Sequence, residues 1–199
     1  MHLRFWLKGF CRVATLLLAP ALLMGSTDQC QTGPVTPASY TWNFPNEASH
    51  LLQQMKDQAI QVRDQADQLR AFDREGALIS WDVDADVLTN AKAEVNTMDK
   101  ELCRLRVIRR VTLPWQQEAI DRVVPKMIEL TDYVGDAIQN VNDHHMTVNT
   151  LDKSYAEEAD FVYQRANNIA RSIGNFEEYA AARTEIHQLS PKLDMQAGS

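Results

Sequence analysis

The stretch Ala48-Ser-His-Leu-Leu-Gln-Gln-Met-Lys-Asp-Gln-Ala-Ile-Gln-Val-Arg-Asp-Gln-Ala-Asp-Gln-Leu69 decides the fold. Its apolar residues Ala48, Leu52, Met55, Ala59, Val62, Ala66 and Leu69 follow one another at spacings of four and three. This is the 3.5-residue repeat that keeps one stripe of a helix turned toward neighbouring helices. Gln, Lys, Asp and Arg fill the positions between, which leaves the opposite face for water. A strand would need strict alternation, and no window of the chain shows it.

Outward from this seam, Asn46 is the expected N-cap and Gly76 the expected stop of a first helix over about 46–75. Ser80 is placed to cap a second helix over about 81–110, with the seam Leu88, Ala91, Val95, Met98, Leu102 and Leu105. Asp82, Asp84 and Asp86 open it, and Lys100, Arg104, Arg106, Arg109 and Arg110 close it. That order of charge complements the helix dipole. Thr112-Leu-Pro114 opens a third helix, with proline in the first turn where its missing N–H costs nothing. Its seam is Ile120, Val123, Met127, Leu130, Val134, Ala137 and Val141, widened by Ile128 and Ile138. Pro125 lies inside it and predicts a kink.

A turn near 146–150 leads to a fourth helix through Tyr155, Val162, Ala166, Ile169 and Ile173. Gly174-Asn175 is a candidate interruption, and Asn175 with Glu178 resembles a capping box. The helix then continues or restarts through Phe176, Ala180 and Ile186, with Pro191 expected to end it and residues 191–199 expected as a disordered tail. Four helices of about 40–50 Å joined by short turns predict an all-α, antiparallel up-and-down four-helix bundle over residues 46–190. The 199 residues suffice for one domain with a substantial core.

The first 26 residues have a different texture. Arg4, Lys8 and Arg12 precede an apolar run of 12 residues, Val13 to Met24, which contains Pro20. A membrane-spanning helix needs about 20 apolar residues, a secretory signal about 7–15. Residues 1–26 are therefore expected to be a signal peptide; the alternative is an uncleaved N-terminal membrane anchor. Residues 27–45, with Pro34, Pro37 and Pro45, read as an extended linker. Within it Thr27-Asp-Gln29 does not suit lipidation of Cys30. Removing residues 1–26 takes away three cations and leaves 17 basic against 27 acidic residues, a net charge of −10. Such a surface disfavours nucleic acid and anionic membranes. The expected localisation is periplasmic or secreted.

Few residues carry recognisable chemistry. The adjacent pair His144-His145 beside Asp143 points in diverging directions on a helix and reads as a helix end. The bundle topology sets His144 and His145 at one end and His50 and His187 at the other, so the four do not make one site. Glu47-Ala-Ser-His50 is a lone copy of a motif that di-metal bundles need twice. Asp82-Val-Asp-Ala-Asp86 lacks the glycine and the last glutamate of a calcium loop. Met55 and His187 both fall on seams at one end and are the residues a bundle haem would use, but their heights differ by roughly 10 Å. His50, Met55, His144 and His187 are thus the metal candidates, and none is assigned. No nucleophilic triad, phosphate loop or other catalytic constellation is read.

Cys30 and Cys103 would remain after signal removal, and in an oxidising compartment they are candidates for a disulfide stapling the linker to the bundle. The expectation for function is an exported structural or protein-interaction bundle, not an enzyme, without cofactor, that binds a protein partner or associates with itself. Tyr40, Trp42 and Phe44 in the linker are expected either to pack onto the bundle or to supply a docking segment. The alternative is an extracytoplasmic carrier or sensor holding haem, metal or a small apolar molecule near Pro125.

Overall fold

The computed structural model describes residues 43–75, 81–144 and 153–197. They form four helices, α1 Phe44–Glu75, α2 Trp81–Ile108, α3 Pro114–His144 and α4 Lys153–Ala197, with one 3-10 turn at Arg109–Val111. Strands are absent among the described residues. Residues 1–42, Gly76, Ser80, His145 and the turn near 146–150 lie outside the described residues, and so do the expectations placed on them.

All seven seam residues quoted from α1 are buried, as are the seams read for α2 and α3. The core is continuous from Ala48 and Ile108 at one end, through Met55, Met98 and Met127, to Val134 and Val162. A second cluster of Leu69, Leu88, Val141, Tyr155 and Ala159 continues it. Ile128, expected to widen the α3 stripe, is instead exposed, because it lies one residue off the buried row that Met127 occupies.

Polar contacts fix the relative placement of the helices. Arg70 bonds to Asp160 at 3.0 Å and Lys56 pairs with Glu177, which ties α1 to α4 at two places. Arg165 bonds to Glu129 at 2.7 Å between α4 and α3, and the Tyr133 and Phe161 rings stack 4.8 Å apart beside it. Between α2 and α1, Arg104 holds Glu47 through two bonds of 2.6 and 3.1 Å.

The helix ends differ from the sequence expectation in three places. Asn43, not Asn46, caps α1: its Oδ1 accepts from the Asn46 N–H at 3.1 Å. Phe44 and Pro45 are therefore helical rather than linker, and proline is tolerated there because the first N–H groups have no partner inside the helix. At the second helix end, α2 stops at Ile108 and tightens into the 3-10 turn, where Arg109 clamps Asp121 with its Nε at 2.6 Å.

The third difference is the largest. α4 runs unbroken for 45 residues, about 67 Å, through both Gly174-Asn175 and Pro191. A Cβ built on Gly174 would meet only the Lys56 side chain at 4.0 Å, so nothing there forces the chain apart. Pro191 removes the bond to the carbonyl of His187, but His187 is exposed and water can satisfy that carbonyl. Residues 191–197 are accordingly helix, not tail.

Candidate functional site

Few polar groups are buried among the described residues, and each tells a different story. Gln116 is fully buried and satisfied: it donates to the Pro45 carbonyl at 2.7 Å and to Ser49 Oγ at 2.8 Å. Its Oε1 accepts from the Leu113 N–H at 2.9 Å. The last bond is half of a capping box, in which the third helical residue reaches back to the N-cap amide. Gln116 thus ties the starts of α1 and α3 together and is structural.

Asp84 is the opposite case. It is 1% exposed, and neither carboxylate oxygen has a hydrogen-bond partner among the described residues. Burial pushes its pKa from 3.8 to about 6. The sequence reading placed it with Asp82 and Asp86 as charge favouring the helix dipole. That field is worth about 0.3–1 kcal/mol, whereas a pKa raised from 3.8 to about 6 corresponds to about 3 kcal/mol. Desolvation wins. Nothing in the Asp-x-Asp-x-Asp pattern reveals this, because which acid turns inward depends on where α1, α3 and α4 pack.

Lys126 is half-buried between α3 and α4. It bonds to Ser172 Oγ and, at 3.5 Å, to the Asn168 carbonyl. Its pKa is lowered, chiefly by burial and then by Arg122 and Arg165. It stands next to Pro125, where the ligand alternative placed an apolar molecule. Val123 and Met127 on either side are buried in the core.

The structure disperses the metal candidates. Met55 is fully buried core. His50 is exposed on α1, within electrostatic reach of Glu101. His187 is exposed on α4, ten residues beyond Glu177, which pairs with Lys56 next to Met55. That separates Met55 and His187 by about 15 Å along the helix axis. His144 is the last residue of α3. Among the described residues no group of three His, Cys, Asp or Glu side chains is placed to hold a metal ion. Cys103 is half-buried on α2 and its sulfur is not free, while Cys30 lies outside the described residues.

The feature that sequence reading missed is on α4. Tyr155, Ala159, Val162, Ala166, Ile169 and Ile173 are buried, and Phe176 packs on the core. From Ala181 to Leu189 every residue is exposed. The rows that would continue the buried stripe carry Ala180, Arg183, Thr184 and His187. The apolar residues have slipped back by one, to Tyr179, Ala182, Ile186 and Leu189. One residue is about 100° of rotation, so this second stripe faces away from the core. Tyr179 is 56%, Ile186 67% and Leu189 44% exposed. The signal was present in the sequence as a change of heptad phase after Gly174-Asn175. Ile186 lies in the expected helix, and the structure shows its side chain exposed.

Comparison with protein-family profiles, with curated proteins and with solved structures finds no match. No helix among the described residues is long and apolar enough to cross a membrane.

Proposed function

We propose that this chain is an exported, antiparallel up-and-down four-helix bundle of the protein-interaction type, acting through the outer face of α4. The observation that carries the reading is the second stripe. Tyr179, Ile186 and Leu189 are large apolar side chains in water, at helical spacing, on a helix segment that contributes nothing to the core. Keeping such a stripe exposed costs solvation free energy of about 25 cal/mol per Å², and a partner that covers it recovers that energy. Contiguous apolar surface of this kind marks interaction sites.

The export half of the proposal rests on the basic opening and short apolar run of residues 1–26. A disulfide at Cys103 would suit the oxidising compartment that export implies. With Cys11 inside the removed segment, Cys30 is the partner proposed for it.

Hydroxyl-radical footprinting of Tyr179, Ile186 and Leu189 tests the interaction reading. Modification inside the intact native compartment is compared with that of dilute purified protein. Protection in the compartment is the expected result. Equal modification in both settings overturns the reading.

A further inference from the structure

We infer that the partner of the outer α4 face is a second copy of this chain, docked as a parallel helix pair. The inference rests on the interaction reading above and names its partner. The stripe has coiled-coil grammar: Tyr179 and Ile186 stand at the first core position of successive heptads, Ala182 and Leu189 at the fourth. Isoleucine at the first and leucine at the fourth position favour two parallel strands.

The flanking charges select the same arrangement. Glu178 precedes the first core position, and Arg183 follows the fourth. Both are exposed. In a parallel pair, residues at these two positions meet across the interface, so Glu178 of each copy faces Arg183 of the other, twice by symmetry. The antiparallel alternative stacks the same apolar layers but sets Arg183 against Arg183 and Glu185 against Glu185. Like charges there oppose association. Because the segment continues a helix anchored in the folded bundle, docking restricts less chain than pairing two free peptides would.

A photo-crosslinking amino acid at position 186, introduced into the full-length chain and irradiated in the cells that make it, decides the matter. The residue replaced is exposed, so folding is not at stake. An adduct of twice the mass of the processed chain, yielding peptides of this chain alone, is expected. Leu189→Asp should reduce it at least tenfold. Arg183→Glu should reduce it about threefold through the two lost pairs, and Glu178→Arg in the same chain should restore it. An adduct containing a different protein overturns the second-copy inference and leaves the interaction reading standing. No adduct at all overturns both.

Discussion

Asp84 shows how much one residue can set. Its carboxyl binds a proton more tightly in the folded chain than in the unfolded one, since burial raises its pKa from 3.8 to about 6. The contribution to stability is therefore complete below about pH 4, falls as pH rises through about 6, and is absent above. The span is about 3 kcal/mol. Asp84→Asn should raise stability at pH 8 by about 1–3 kcal/mol and leave it unchanged at pH 4; urea unfolding at the two pH values measures both. An equal effect at both would mean that the charge is not the cause. Gln116 predicts the reverse sign. Gln116→Ala leaves the Leu113 amide and the Pro45 carbonyl without their partner and should cost about 1–3 kcal/mol at any pH between 5 and 8. Neither prediction was legible in the sequence. A glutamine after a proline, or an acid near a helix start, has the same appearance whether it points in or out.

At the scale of the element, α4 is two helices in one. The inner part buries Ile169 and Ile173, and the outer part exposes Ile186 and Leu189. Ile173→Ala should destabilise by about 2–5 kcal/mol, whereas Ile186→Ala should stay within about 0.5 kcal/mol in dilute protein. Gly174 lies at the junction with room for a Cβ. Gly174→Ala should stabilise by about 0.5–1 kcal/mol by favouring the continuous helix, as a raised thermal midpoint would show. A loss instead would mean that the junction needs glycine.

The seams of α1, α2 and α3 were legible because seven or fewer apolar residues at strict spacing leave one way to face a core. α4 was harder to read. A pause at Gly174-Asn175 and an end at Pro191 follow from local propensity, and α4 runs through both. Periodicity identified Ile186 as helical but gave no measure of which neighbour its stripe would meet.

At the scale of the whole molecule stand a packed bundle, a proposed cross-link at Cys103 and an outer helix face left open for a partner. A Cys30–Cys103 bridge closes a loop of roughly 70 residues and should contribute about 4 kcal/mol. The non-reduced exported protein should then weigh two hydrogens less than the dithiol and begin between residues 20 and 30. An intact Met1 would point to an anchor, and a full dithiol would remove the staple. Stability is distributed unevenly along α4. Isolated helices shorter than about 12–15 residues are marginal in water, so the outer part needs a partner to resist opening while the inner part does not. Amide hydrogen exchange along α4, followed as protein concentration is raised, tests this most directly. The account predicts strong protection of 159–173 at every concentration, with 181–189 exchanging fast when dilute and slowing as copies pair. Protection of 181–189 at high dilution equal to that of 159–173 would contradict it.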